Sequence, residues 1–446
     1  MILSSDTDGK PERVTIPLLV IRVRVICNGR NGRFSGALIL GLVVQKYGGS
    51  SLATADRISA AAERIARTKS AGNQVVVIVS AMGDTTDDLI ALARQVHAEP
   101  NDREMDVLLS TGEVISCSLM TMALHALGHD AVSLSGAQAG IQTERAHTRA
   151  QISSIDPARM QAELAKGRLV IVAGFQGVTE DLDITTLGRG GSDTTAVAIA
   201  ASLRADLCEF YKDVDGILTA DPRLAPRARL LDEIDYEEML ELAQQGAKVL
   251  HPRAVELAEV FDVPLVVRSS FNDNPGTLIH RGLKMEIRNK VRGIAHDTDV
   301  AKVTLQGVAD RPGISASLFE PLAEAGISVD VIVQNASAHG VTDLSFTVAR
   351  GDLARTVRIV EPLAREIGAE RVVSADGLAK ISIVGTGMQH SPGYAARMFR
   401  TLADNGINID MITTSEIRIT CLVESARTND AVSALHDAFR LDKSEG

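Results

Sequence analysis

The sequence predicts an α/β protein: a three-layer αβα domain with a mostly parallel sheet, followed by two small ferredoxin-like α+β units. Three observations predict it. Apolar strand runs alternate with helical spacing over residues 42–280, the pattern of a parallel sheet covered by helices. Glycine loops follow several of those strands, at the strand ends where open α/β sheets gather ligands. Beyond residue 300 a block recurs at a constant offset of 80 residues, the mark of a duplicated unit.

The first residues stand apart. Residues 1–15 are polar, residues 16–27 are apolar but carry Arg22 and Arg24, and residues 28–36 are rich in glycine and arginine. A secretory signal puts its charge before an unbroken apolar core. Residues 1–41 are therefore expected to be a disordered extension outside the fold, or the product of a start assigned too far upstream.

Residues 42–46 read as a short strand, ended by the glycine turn Tyr47-Gly48-Gly49-Ser50-Ser51. Ile58, Ala61, Ala62 and Ile65 give residues 56–69 helical spacing. Within residues 74–79, Val75 to Val79 form an unbroken β-branched run, which suits a strand buried on both faces. A polar loop is expected over 80–88, helices over 87–96 and 102–127, and strands over 132–134 and 168–173. Gly174-Phe175-Gln176-Gly177 ends the last of these. A helix over 194–203, a strand over 207–211, a helix over 236–244 and a final strand over 263–268 complete the domain, with a turn over 272–276.

The centre of the chain is the loop Gly188-Arg189-Gly190-Gly191-Ser192-Asp193. Ser192 and Asp193 are good helix N-caps, and a small-residue helix follows. A helix start offers free N–H groups and a partial positive charge, a seat for anions. Arg189 adds a planar fork suited to carboxylate or phosphate. The plainer alternative is a tight turn with a surface arginine.

In the second region, Pro312-Gly313, Phe319, Leu322, Gly326-Ile327 and Asp330 match Pro392-Gly393, Phe399, Leu402, Gly406-Ile407 and Asp410. Each copy has a strand (302–307; 380–385), a Pro-Gly turn, a helix and a further strand, with additional strand runs at 344–348 and 417–423. That order suits a split βαβ unit used twice. Spacing kept over the whole block weighs against chance.

Composition narrows the function. A chain of 446 residues is too long for one ordinary core. With 45% hydrophobic and 23% charged residues it is an ordinary globular chain. A net charge of −11 argues against a nucleic-acid surface. Cys27, Cys117, Cys208 and Cys421 are scattered, without metal-ligand spacing, and Cys117, Cys208 and Cys421 read as core residues. A reducing cytoplasm is expected, without disulfides or zinc. No uninterrupted run of 18 apolar residues occurs, so no membrane span is expected.

Two common nucleotide signatures are missing: there is no GxxxxGK[ST], and no GxGxxG follows a strand. Lys46-Tyr47-Gly48-Gly49-Ser50 offers another route, with a lysine ending a strand and two glycines that let backbone N–H groups approach an anion. Asp213-Val214-Asp215-Gly216 superficially suggests calcium, but the remaining loop ligands are missing.

Seven blocks occur in order: Lys46-Tyr-Gly-Gly-Ser-Ser, Ser80-Ala-Met-Gly-Asp-Thr-Thr-Asp, Gly112-Glu113, Gly174-Phe-Gln-Gly, Gly188-Arg-Gly-Gly-Ser-Asp193, Asp213-Val-Asp-Gly-Ile-Leu-Thr-Ala-Asp221-Pro-Arg223 and Gly246-Ala-Lys248-Val-Leu-His-Pro252. Together they resemble the aspartate kinases of the amino-acid kinase family, and the repeated units resemble their paired ACT domains. The resemblance runs from residue 42 to the end. It implies a catalytic domain over 42–280, a linker over 281–300, and ACT domains over 301–370 and 378–441. The implied activity is ATP-dependent phosphorylation of the side-chain carboxylate of L-aspartate, the first step toward lysine, threonine and methionine, with feedback inhibition by lysine and/or threonine. With the sequence ending at 446, a fused dehydrogenase is not expected.

The resemblance also implies roles. Lys46, Asp193 and Lys248 are the catalytic candidates, with Asp193 orienting lysines and magnesium; a helix cap and a solvated lysine are the plain alternatives for Asp193 and Lys248. ATP and Mg2+ are the implied cofactors, and no direct metal ligand is assigned. Lys46, Tyr47, Gly48, Gly49, Ser80, Lys212, Asp213, Leu218, Thr219, Ala220, Asp221, Pro222, Arg223 and Lys248 frame the nucleotide. Lys212 departs from the small hydroxyl residue common in the family. Asp84, Thr85, Thr86, Glu113, Arg189, Gly190, Gly191 and Ser192 frame aspartate; Arg189 pairs with a carboxylate and Glu113 accepts from the ammonium, unless Glu113 is only a first-turn helix acid. Asp310, Ser328, Val329, Asp330, Gln334, Asn335, Asn408, Ser415 and Glu416 are effector candidates, and Asp310 could equally be a turn acid. ACT pairing across chains implies a homo-oligomer. Another phosphotransferase of the family and an inactive amino-acid sensor are the competing readings.

Overall fold

The computed structural model describes residues 41–282, 290–335, 340–388 and 391–443. Residues 1–40, expected as an extension, lie outside the described residues, as does Cys27.

The chain begins with β1 (Leu42–Tyr47), a short 3-10 turn, and α1 (Ala55–Ser70). Thr54 caps α1 by accepting from the Arg57 N–H. Then come β2 (Gln74–Val79), α2 (Thr85–Val96), α3 (Asp102–Ala126), β3 (Ala131–Leu134), β4 (Ile141–Thr143), β5 (Ile152–Ile155), α4 (Ala158–Ala165) and β6 (Leu169–Ala173). After β7 (Gln176–Val178) and β8 (Ile184–Thr186) the chain enters α5 (Gly191–Leu203) and β9 (Leu207–Lys212). The domain closes with β10 (Glu233–Asp235), α6 (Tyr236–Gln244), α7 (Pro252–Phe261), β11 (Leu265–Ser269) and β12 (Thr277–His280).

Eight strands form the main sheet in the order β10-β12-β11-β9-β1-β2-β6-β3. Only the β11–β12 pairing is antiparallel. Tyr47, Val75, Val77, Val79 and Tyr211 pack on α1 and α3 on one face; Val44, Val76, Ile78, Cys208 and Phe210 pack on the other with α5, α6 and α7. The αβα layering therefore holds. Strand connections diverge on either side of β1, so the loops after β1 and β9 open side by side.

Some elements differ from expectation. The loop after β2 is shorter, because Thr85 and Thr86 already belong to α2. Strand β12 follows β11, which was expected to be last. A small sheet in the order β5-β4-β7-β8 was not expected at all. Its strands are three or four residues long, and Thr143 and Thr185 join hydroxyls inside it at 2.5 Å. Such strands lack an apolar alternation to read.

The regulatory region comprises β13 (Gly293–Ala309), α8 (Ile314–Glu324), β14 (Val329–Gln334), β15 (Val341–Val348), α9 (Leu353–Glu366), β16 (Arg371–Val384), α10 (Tyr394–Asp404), β17 (Met411–Thr414), β18 (Arg418–Glu424) and α11 (Thr428–Ala438). One six-stranded antiparallel sheet runs β14-β15-β13-β16-β18-β17. Strands β13 and β16 are long enough to serve both repeats. Residues 302–306 of β13 pair with residues 371–375 of β16, while residues 293–300 pair with 378–384. The stretch 293–300, expected as linker, is thus the fourth strand of the second repeat, and the first repeat is inserted between that strand and the rest.

This region packs on α6. Glu238 accepts from the Thr386 N–H and hydroxyl at 2.9 and 2.8 Å. Arg418 pairs with Glu241 at 2.6 Å, and the Ser382 hydroxyl donates to Gln245 at 3.1 Å. Cys117, Cys208 and Cys421 are buried free thiols. Helix α3 is, among the described residues, the one helix long and apolar enough to cross a membrane. It packs on α1, β3, β6 and β8, and its buried face holds Asp106 and Glu113.

Candidate active site

Lys46 sits at the end of β1, opposite Phe210 of β9. Lys212 lies two residues beyond Phe210, hence on the same face. Both ammonium groups converge on Asp193 in the first turn of α5. Lys46 Nζ lies 2.7 Å from Asp193 Oδ1, and Lys212 Nζ lies 2.9 Å from Oδ2. Lys46 and Asp193 are only 4% and 5% exposed. The Lys46 ammonium is pushed down to about 8, chiefly by burial with Lys212 adding to it, while Asp193 opposes both. Burial alone would raise Asp193, but Lys212 and Lys46 override it and hold the carboxyl well below the usual range.

The cluster thus carries one net positive charge with Asp193 as its hinge. Asp193 is not the cap of α5: that position is Gly190, and Ser192 and Asp193 lie inside the helix. Lys248 does not join the cluster. Its side chain turns outward and is exposed, while Leu250 is buried. Lys212 occupies the place expected for a second cation.

Glu113 lies in the middle of α3, not in its first turn, and is 3% exposed. Its Oε1 accepts from the Ala81 N–H at 3.0 Å, while its Oε2 is buried with no partner. Burial raises the carboxyl to about 7, despite the Ala81 N–H and the nearby positive charge of Lys46. A buried carboxylate oxygen without a donor, beside a lysine, suits an incoming ammonium.

The loops after β1 and β2 meet backbone to backbone. A Cβ on Gly49 would fall 2.8 Å from the Ala81 carbonyl, and the Gly83 N–H donates to the Gly49 carbonyl at 3.0 Å. Gly48 already donates its N–H to Tyr211 at 3.3 Å. Tyr47 does not face a nucleotide: it is fully buried and stacks on Tyr211 with ring centroids 4.7 Å apart. Ser80 is half-buried and Asp84 exposed. Thr85 donates its hydroxyl to the Met82 carbonyl at 2.6 Å, and Thr86 is half-buried in the first turn of α2.

Arg189 is exposed between Gly188 and Gly190, both with φ of +73°. The loop beneath it is fastened from below. Fully buried Asp106 accepts from the Thr186 hydroxyl at 2.5 Å and the Thr148 N–H at 3.0 Å, and pairs with His147 at 2.8 Å. Arg253 donates to the Leu187 carbonyl at 2.9 Å. Sequence reading missed Asp106; its signal was an acid within the apolar face of a long helix. Gly191 and Ser192 are the first residues of α5, and Ser192 is buried.

The segment 213–223 divides. Asp213 is exposed. Asp215 accepts from Asn272 and Asn274 at 2.7 and 3.3 Å, tying the loop to the turn after β11. Leu218 bridges to Leu230. Thr219, expected at the nucleotide, is instead fully buried, its hydroxyl 3.0 Å from His436 Nε2 on α11. Ala220 belongs to the apolar core of the second repeat. Pro222 is exposed, and Asp221 and Arg223 pair with each other at 2.7 Å.

Among the effector candidates, Asp330 pairs with Lys380 at 2.7 Å. Its repeat counterpart Asp410 pairs with Lys302 at 2.5 Å. Each repeat thus reaches across to the first strand of the other. Gln334 accepts from the Ser315 hydroxyl at 3.0 Å, and the Asn335 carbonyl accepts from Thr342 at 2.7 Å. Asp310 and Ser415 make backbone bonds to Gly340 and Arg418 at 2.9 Å. Ser328, Asn408 and Glu416 are exposed, and Val329 opens β14. No group of three or more His, Cys, Asp or Glu able to hold a metal occurs among the described residues.

Residues 41–269 match the model of the amino acid kinase family, and residues 303–362 and 381–439 match an ACT domain. The aspartokinase of Mycolicibacterium smegmatis is 52% identical over 407 residues, covering 90% of this chain and 97% of that protein. Aspartokinase 2 of Bacillus subtilis is 49% identical over 404 residues, covering 91% and 99%. The crystal structure of E. coli aspartokinase III in complex with aspartate and ADP is similar with a TM-score of 0.75 at 26% identity, covering 89% of this chain and 99% of that chain. The chain therefore belongs to the aspartokinases, amino acid kinases that carry paired ACT domains.

Proposed function

We propose that the chain transfers the γ-phosphoryl group of ATP to the side-chain carboxylate of L-aspartate, giving 4-phospho-L-aspartate, under control by amino-acid effectors. The observation that carries it is the buried Lys46–Asp193–Lys212 cluster at the carboxyl ends of β1 and β9, beside the unpaired oxygen of Glu113. The attacking carboxylate is already ionised near neutral pH, so the reaction needs no strong base. It needs alignment and neutralised phosphate charge. Lys46 and Lys212 receive the phosphates and Asp193, bridging the two ammonium groups, holds both in place. Glu113 accepts from the substrate ammonium, and Arg189 grips a carboxylate. Asp193 has both oxygens engaged by lysines, so nucleotide phosphates rather than Asp193 would hold magnesium, which would supply further charge neutralisation.

E. coli aspartokinase III has been solved with lysine and aspartate as well as with aspartate and ADP, which supports an amino-acid effector here, lysine and/or threonine. The outer strands β14 and β17 leave Ile332 and Ile412 51% and 44% exposed. Unpaired edges of this kind support assembly of a homo-oligomer through the ACT domains. Free buried thiols fit a reducing cytoplasm.

The test is ADP release with ATP, magnesium and aspartate, repeated with glutamate and then with lysine or threonine added. Turnover with aspartate alone, reduced by an effector, is expected; no aspartate-dependent turnover sinks the proposal. Within it, Arg189→Lys raises the aspartate KM by about tenfold or more with a smaller change in kcat, because an ammonium cannot reproduce the bidentate fork. Steady-state kinetics at varied aspartate read this directly, and an unchanged KM removes Arg189 from the substrate site.

A further inference from the structure

His251 has no part in the chemistry described so far, yet it touches the substrate loop. It caps α7, with Pro252 at the first helical position, and its carbonyl accepts from the Ala254 N–H at 2.9 Å. Its place is therefore fixed by the start of a helix. The ring faces Gly190. A Cβ on residue 190 would lie 2.1 Å from Cγ and 2.3 Å from Cδ2 of His251. Gly190 thus needs to be glycine twice over, for its φ of +73° and for the ring against it. Two residues further on, Arg253 donates to the Leu187 carbonyl at 2.9 Å and the Ala150 carbonyl at 3.4 Å. The first turn of α7 therefore holds the loop 187–190 on both sides of Arg189.

We propose that His251 is a positioning residue for aspartate, its ring fixing Gly190 and so setting the direction of the Arg189 side chain. The inference rests on Arg189 binding the substrate carboxylate. The contact with Gly190 uses ring carbons, whereas Nδ1 is buried without a hydrogen-bond partner. The proposal therefore places the demand on the shape of the ring, and the variants below separate shape from the nitrogens. Burial also pushes the imidazole pKa down, although Asp193 and Glu256 oppose this and Arg253 and Lys212 favour it. The ring therefore meets Gly190 uncharged near neutral pH.

His251→Ala and His251→Phe, assayed beside Arg189→Lys in the full chain, test this. A loop released by the loss of the ring misplaces Arg189, and misplacements of this kind cost on the order of tenfold or more. Expected is a roughly tenfold rise in the aspartate KM for His251→Ala, with the ATP KM and kcat within about twofold, and near wild-type constants for His251→Phe. Should His251→Ala fail to fold, His251→Leu reads the same loss of a flat ring. A raised KM in His251→Phe equal to that of His251→Ala overturns the proposal, since a nitrogen is then required. An unchanged KM in His251→Ala together with a raised KM in Arg189→Lys overturns it while leaving the role of Arg189 intact. An unchanged KM in Arg189→Lys overturns both.

Discussion

Asp193→Asn is expected to lower kcat by about 10²–10³-fold and to leave the ATP KM unchanged or lower. The substitution keeps the shape of the side chain and removes its charge. Two ammonium groups, held at 2.7 and 2.9 Å from one carboxylate, then face each other without a counter-ion. Removing one partner of a buried charged group typically destabilises by about 3–5 kcal/mol, because the charge left behind stays desolvated. Lys46, already lowered to about 8, falls further as its one opposing influence disappears. A neutral Lys46 no longer stabilises the charge of the transferring phosphoryl group. Rate is lost because the lysines are no longer aimed, even where nucleotide still binds.

The same substitution has a signature that a general packing defect lacks. Nucleotide phosphates bring the negative charge that Asp193 supplied. ADP therefore raises the melting temperature of Asp193→Asn more than that of the wild type, since it supplies to the lysines a counter-charge that the wild type already has. Thermal melts with and without ADP, read beside kcat, decide the matter. A kcat within about threefold of wild type removes Asp193 from catalysis. An equal ADP shift in the two proteins shows that the lysines do not meet the phosphates.

What the sequence made legible follows from how far each signal reaches along the chain. Residues 74–79 announce a buried strand on their own, because every side chain from Val75 to Val79 is apolar and both faces are covered. Lys46, Glu113, Arg189 and Asp193 were legible as candidates through their blocks, but not their contacts. Choosing Lys212 over Lys248 requires knowing that β1 and β9 are neighbours, since only then do Lys46 and Lys212 share a face. The tyrosine of the Lys46 block misleads for the same reason: the alternation of a strand sends Tyr47 to the face opposite Lys46. The fourth strand of the second repeat was hidden further still. Residues 293–300 pair with residues 378–384, a long-range registration that no local pattern records. Thr219 shows the converse case, in which a residue within a nucleotide-like block is taken up by His436 from the far end of the chain.

Glu113→Gln should make aspartate binding poorer and the fold more stable at alkaline pH. In the free protein the Glu113 carboxyl is raised to about 7, with burial as the main cause. An ammonium substrate needs it ionised. The value of kcat/KM for aspartate therefore rises as pH increases through about 7, and falls again as Lys46 loses its proton near 8. The two groups feel each other, so the limbs belong to the pair and the optimum between them is narrow. Glutamine removes the acid limb and leaves the alkaline one. It also removes a charge-assisted hydrogen bond worth about 1.5–3 kcal/mol, which raises the aspartate KM by roughly 10- to 100-fold. Stability moves the other way. A carboxyl raised in the folded state contributes stability below its ordinary value of 4.5, and that contribution is lost as pH climbs through about 7. For Glu113 the loss is on the order of 3 kcal/mol, and glutamine does not suffer it. The melting temperature of Glu113→Gln relative to wild type thus increases from pH 5 to pH 8 while its catalytic efficiency stays low. An acid limb near pH 7 that survives in Glu113→Gln assigns that ionisation to another group. A relative melting temperature that does not change with pH shows that Glu113 is ordinarily ionised, and the proposed tuning of this carboxyl then fails.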